Sequence, residues 1–189
     1  MEMETLAAID VPLRLQHMAA ALETLLVQRG VLIQGGADVV PGSEQGSDVS
    51  WVGIQTGGVW VAQHLRALMA NVPDQLGQLN ISFYRDDFSR QGLHPSVTPS
   101  HLPFDIEDQH VILVDDVLMT GRTIRAALNE LFDYGRPASV TLVVLVSMGG
   151  RELPIAADVA GVRLQLPAHK RIKIRGPEPL RLEEVDLSS

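Results

Sequence analysis

There is no cysteine among the 189 residues, which removes disulfides, thiol nucleophiles and thiolate metal sites together. Such a chain suits a reducing compartment, and a cytoplasmic location is expected. No run of eighteen apolar residues occurs, and the opening Met1 to Asp10 is acidic, so neither a membrane span nor a secretory signal is expected. Lysine is nearly absent: Lys170 and Lys173 are the only two. The formal net charge of −8 argues against indiscriminate binding to nucleic acid or anionic membrane. Two phosphate motifs are missing as well, the G-x-x-x-x-G-K-[ST] loop and the G-x-G-x-x-G fingerprint, and no internal repeat is visible. What remains is 46% apolar and long enough for one domain with a substantial core.

The chain is organised around Val111 to Ile124. Val111, Ile112, Leu113 and Val114 predict a strand buried on both faces, as in a parallel sheet. Asp115 and Asp116 follow at its expected end, and Val117, Leu118 and Met119 lead into Thr120-Gly121-Arg122-Thr123. Ile124, Ala127, Leu128 and Leu131 then recur at helical spacing until Gly135 and Pro137. Buried strand, acidic pair, hydroxyl-rich loop and helix N-terminus together form an anion cradle suited to phosphate. The acidic pair would meet the hydroxyls of a sugar phosphate. An acidic strand end beside an ordinary turn is the bland alternative.

Elsewhere, Leu15, Met18, Leu22 and Leu25 mark a packing helix from Asp10 to Arg29. Residues 35–48 carry four glycines and a proline and read as a mobile loop. Val49 to Ile54 predicts a strand, followed by Gln55-Thr56-Gly57-Gly58 and a helix, a second strand-loop-helix unit that offers either an anion-accepting turn or a structural one. Leu79, Ile81 and Phe83 alternate with polar residues as a half-buried strand. It runs into Arg85-Asp86-Asp87, which by itself is a solvated charge cluster, and a long stretch ending near 104. Ser139 to Val146 predicts another buried strand. The sheet is expected to be α/β, mostly parallel and joined by right-handed crossovers. Near the end, Arg171, Lys173 and Arg175 share one strand face and Ile172 and Ile174 the other, a pattern also expected of an edge strand charged against aggregation.

The Val111 to Ile124 stretch resembles the PRPP-binding signature of type I phosphoribosyltransferases. FYRDDFS at residues 83–89 and Arg151-Glu152-Leu153-Pro154-Ile155 narrow the resemblance to the PyrR family, pyrimidine-operon attenuation regulators that also have uracil phosphoribosyltransferase activity. It covers residues 50 to 175. The resemblance implies a twisted parallel sheet with helices on both faces, a hood spanning 150–189, and a flexible active-site loop over 84–104. It implies PRPP held by Thr56, Gly57, Asp115, Asp116 and Val117 to Thr123, with Asp115, Asp116 and Arg85 in catalysis. Mg²⁺ would be held with PRPP and pyrophosphate rather than by protein groups alone. Met148 and Ile172 would face the base, uracil or that of UMP or UTP. Lys170, Arg171, Lys173 and Arg175 would offer a weak contact to a pyrimidine messenger-RNA leader, and a homodimer or higher assembly is implied. Two departures stand out: the family usually has arginine where this chain has Gly57, and Asp-Arg where it has Ser147-Met148. They imply weak catalysis, which restoring the charges should raise. A phosphoribosyltransferase of another base specificity, with no RNA-binding role, is the alternative.

Overall fold

The computed structural model describes residue 6 and residues 9–31, 49–70, 72–81, 99–167 and 169–187. Helix α1 (Val11–Gln28) begins where Asp10 accepts a hydrogen bond from Leu13 N at 3.0 Å, with Pro12 in the first turn. It buries Leu15, Met18, Leu22 and Leu26, and the half-buried Leu25 packs against the same core.

Strands β1 (Val49–Ile54), β2 (Gly77–Leu79), β3 (His110–Leu118), β4 (Ser139–Met148) and β5 (Val159–Leu164) form a parallel sheet in the order β2-β1-β3-β4-β5. Helix α2 (Gly57–Leu68) joins β1 to β2, and α3 (Arg122–Tyr134) joins β3 to β4. The sheet sorts its side chains by parity. Trp51, Ile112, Val114, Val143 and Leu145 pack with α1 and α2 in one core. Val52, Ile54, Val111, Leu113, Leu142 and Val144 pack with Ile124, Ala127 and Leu131 of α3 in the other. Two-sided burial is why these strands read as unbroken apolar runs, and each fully buried Leu or Ile contributes about 1.5–3 kcal/mol.

Strand β3 runs past its expected end, so Asp115 and Asp116 lie within it rather than after it. The region 150–189 divides: β5 belongs to the main sheet, whereas β6 (Lys170–Arg175) and β7 (Arg181–Asp186) form a separate antiparallel pair. That small sheet, referred to below as the hood, buries Ile172, Ile174 and Leu180 on the α1–α2 side. Arg29 ties α1 to the sheet, donating to Thr141 Oγ1 at 2.7 Å and to Asp158, which itself accepts from Leu142 N. The outer edge of β2 is closed by His101, whose N–H and C=O both bond Gln78 at 2.8 Å. The expected loop at 35–48 and most of the 84–104 loop, including Arg85 to Asp87, lie outside the described residues.

Candidate active site

Order β2-β1-β3-β4-β5 reverses direction between β1 and β3, since α2 leads one way and α3 the other on opposite faces. Ligands of open α/β sheets bind in the crevice this reversal opens beyond the strand ends. A cleft of about 420 Å³ lies there. The loop after β1 supplies Thr56 and Gly57, β3 and its loop supply Asp115 to Thr123, β4 supplies Met148, and the hood supplies Arg171 to Ile174. The expected PRPP and base residues all line this cleft, and Arg85, expected in catalysis, lies outside the described residues. Trp60 also lines the cleft, an aromatic that α2 carries one turn into the helix.

The two aspartates divide their surroundings because adjacent strand residues point to opposite faces. Asp115 is buried at 1% exposure, and its Oδ1 accepts from Asp116 N at 2.9 Å. Asp116 is half-buried and its Oδ1 accepts from Val117 N at 2.8 Å. Its other oxygen lies against the first turn of α2, where a Cβ built on Gly57 would fall 2.2 Å from Asp116 Oδ2 and 2.7 Å from Ile174 Cγ2. A Cβ on Gly58 would fall 2.4 Å from Val114 O. The glycine pair therefore lets the helix start close against β3. An arginine at 57 would require the side chains of Asp116 and Ile174 to shift, so restoring it would do more than add a cation.

The loop after β3 is built differently. Gly121 adopts φ +93° at the N-cap of α3, a conformation glycine takes without strain. Its side chain cannot cap the helix, so Thr120 Oγ1 accepts from Arg122 N at 3.3 Å instead. The loop leans on residues that followed β4. Thr120 O accepts from Glu152 N and Leu153 N, both at 3.0 Å, and Met119 O accepts from Arg151 Nη1. The other arm of Arg151 donates to Ser147 Oγ at 3.2 Å, and Arg122 pairs with Glu152 at 2.7 Å. Burial, and then the nearby Arg163, hold the Arg151 guanidinium below its ordinary value. Ser147 thus faces Arg151, and of Ser147 and Met148 only Met148 reaches the cleft. Sequence reasoning assigned Arg151 no role; its place in a retained five-residue segment was the available signal.

Of the hood cations, Lys170 pairs with Glu184 at 2.6 Å and Arg175 with Glu183 at 2.5 Å, while Arg171 and Lys173 line the cleft. The hydrogen bond that Lys170 donates to Glu184, and then the Glu184 charge, raise Lys170 above its ordinary value. Hood and α2 also meet where His64 Nε2 lies 3.0 Å from Glu178 Oε1 and where Trp60 packs under Gly176. Among the described residues, no group of three or more His, Asp or Glu side chains gathers around a metal position, and no helix is long and apolar enough to cross a membrane. The acidic pair is the donor set the cleft offers a divalent cation, enough to complete a shell made mostly of substrate oxygens and water.

Comparison with known proteins agrees with this architecture. The family described as phosphoribosyl transferase domain matches residues 43–174. Bifunctional protein PyrR of Pseudomonas syringae pv. tomato is 55% identical over 175 residues, covering 93% of this chain and 94% of its own. Bifunctional protein PyrR of Pseudomonas putida is 62% identical over 143 residues, covering 76% and 83%. Among solved structures, a hypoxanthine phosphoribosyltransferase of Trypanosoma cruzi superimposes with a TM-score of 0.58 at 22% identity over 85% of this chain and 76% of its own, a likeness of fold. With a phosphoribosyltransferase sheet, a cleft at its reversal point and relatives of this similarity, the chain belongs to the PyrR family of type I phosphoribosyltransferases.

Proposed function

We propose that the chain is a regulator of pyrimidine biosynthesis that binds uridine nucleotides and pyrimidine messenger RNA, and that it converts uracil and PRPP to UMP and pyrophosphate. The observation that carries this reading is the convergence of the acidic pair, the Thr120–Thr123 loop and the apolar hood residues on one cleft. The 5-phosphate sits on Thr120 to Thr123 at the start of α3, the ribose hydroxyls donate to Asp116, and Asp115 holds Asp116 in place from behind. The base lies between Met148 and Ile172. Pyrophosphate lies beside Thr56 and Gly57.

As pyrophosphate leaves, positive charge develops at the anomeric carbon, and the carboxylate of Asp116 stabilises it without forming a covalent bond. Uracil nitrogen attacks that carbon and yields UMP. Asp116 and Asp115, together with the oxygens of PRPP, would hold Mg²⁺, which would supply neutralisation of the leaving group. Arg85 is assigned to closing the site against water, a role outside the described residues. A nucleotide in the same cleft acts as the regulatory signal by favouring one conformation or assembly, a homodimer or higher. The RNA contact is assigned to Lys170, Arg171, Lys173 and Arg175, two of which are held in exposed ion pairs that salt would loosen.

Calorimetry with PRPP, UMP, UTP and GMP on one preparation tests the reading. UMP and UTP are expected to bind and GMP to bind far more weakly. Equal affinity for GMP would remove the pyrimidine assignment, and absence of UMP from a reaction with uracil, PRPP and Mg²⁺ would remove the catalytic one.

A further inference from the structure

We propose that Arg151 is a positioning residue that builds the phosphate subsite from outside the cleft and links it to the base side. The proposal rests on the reading of Thr120 to Thr123 as the phosphate loop. In a trans peptide the N–H points away from the preceding carbonyl. Carbonyl Met119 O is held by Arg151 Nη1, and carbonyl Thr120 O by Glu152 N and Leu153 N. Thr120 and Gly121 line the cleft, whereas Arg151, Glu152 and Leu153 do not. Drawing both carbonyls outward turns the amides of Thr120 and Gly121 inward, the arrangement of a backbone anion nest.

Without that hold, either carbonyl could swing toward the cleft and present a partial negative charge to the phosphate. A Cβ on Gly121 would meet Leu153 Cβ at 3.3 Å and Ile155 Cβ at 3.4 Å, so the same segment also packs behind the turn. The second arm of Arg151 ends on Ser147, and the next residue, Met148, lines the cleft on the base side. One guanidinium, forked as only arginine is, therefore spans the two halves of the site.

The test compares UMP with uridine by calorimetry, since the pair differs only in the phosphate. Wild-type protein is expected to bind UMP the more tightly. Arg151→Met is expected to weaken UMP by roughly tenfold to a hundredfold, the size of a lost hydrogen bond to a charged group, and to leave uridine within about twofold. Arg151→Lys, with one donor centre in place of the fork, is expected to recover part of the loss, and Ser147→Ala to cause a smaller UMP-selective loss. Retained uridine binding reports an intact cleft. Should Arg151→Met not fold, the lysine and alanine variants carry the same comparison. Equal weakening of UMP and uridine in these variants, or no change in UMP, would overturn the proposal. Wild-type protein that binds UMP no better than uridine would overturn the phosphate-loop reading itself, and the two failures are separate results.

Discussion

The turns after β1 and β3 are the same device, a parallel strand delivering the chain to a helix start, yet they differ in what stands before the helix. At the start of α2 the position in front of Gly57 holds the Asp116 carboxylate. At the start of α3 the loop carries Thr120, Arg122 and Thr123 and has its carbonyls drawn outward. A helix dipole and free amides favour an anion in both places, but one turn comes supplied with a protein carboxylate and the other is kept open. A helix start thus becomes a ligand site only when nothing in the chain has already filled it. On the proposed reading the leaving group would meet a crowded, acidic turn and the 5-phosphate a prepared one.

The sharpest way to break this comparison is to spoil the open turn. Thr120→Leu with Thr123→Leu removes two hydroxyls and narrows the loop, and UMP affinity is expected to fall by at least about a hundredfold, two charge-assisted hydrogen bonds at roughly 1.5–3 kcal/mol each. Calorimetry checks it, with circular dichroism to establish that the fold survives. A double variant that binds UMP like the parent would mean the phosphate goes elsewhere.

The acidic pair comes next. Asp116→Asn is expected to lower kcat by about tenfold to a hundredfold while KM for PRPP shifts much less, because the charge it opposes appears only toward the transition state. Asp115→Asn keeps an oxygen able to accept from Asp116 N, so its loss of kcat should be smaller. Steady-state kinetics on both variants decides whether the pair acts in the transition state or as a ribose clamp, in which case KM alone would rise.

A third variant tests the crowded turn directly. Gly57→Ala adds a methyl group where Asp116 Oδ2 now lies, so kcat is expected to drop several-fold to about tenfold with UMP affinity nearly unchanged. Gly57→Arg carries the same Cβ and is expected to lose rather than gain activity. Higher turnover in Gly57→Arg would show that Asp116 yields readily and that the missing cation matters more than the crowding.

The smallest effect concerns the hood. Lys170 is raised in the folded protein by its hydrogen bond to Glu184, so its stabilising contribution is complete below the ordinary lysine value of about 10.4 and is lost as pH rises through the folded value above it. Wild type and Lys170→Met should differ slightly in Tm at pH 7 and converge in strongly alkaline buffer. A difference that persists there would point to packing of the aliphatic stem rather than to charge.

How far could these turns be read from the chain alone? Strand β3, the hydroxyl-rich loop and α3 were legible because two-sided burial leaves an apolar run and helical spacing follows it. The full burial of Leu26 beside Leu25 was not, since the apolar face of such a helix is broad and spacing alone does not rank its members. Membership of β5 in the main sheet was also hidden: Val159 to Leu164 is as short and mixed as the hood strands, and nothing in a strand's own pattern names its neighbour. The role of Arg151 depends on contact with Met119, thirty-two positions away. Trp60 and the closeness of Gly57 to Asp116 are likewise products of how α2 lies across β3.

The family match ends at Ile174, inside β6, and begins at Ser43, after α1. Those limits describe shared ancestry better than they describe a body able to stand alone. A chain cut to residues 43–174 would lose α1, and with it the cover over Trp51, Val143 and Leu145 and the guanidinium that holds Asp158. It would also strip β7 from β6, leaving Lys170 without Glu184 and the hood as a lone strand, far below what a sheet needs to persist in water. Excised at its recognisable borders, the catalytic portion is thus expected to be insoluble, and the less distinctive ends of the sequence are what make the distinctive middle a protein.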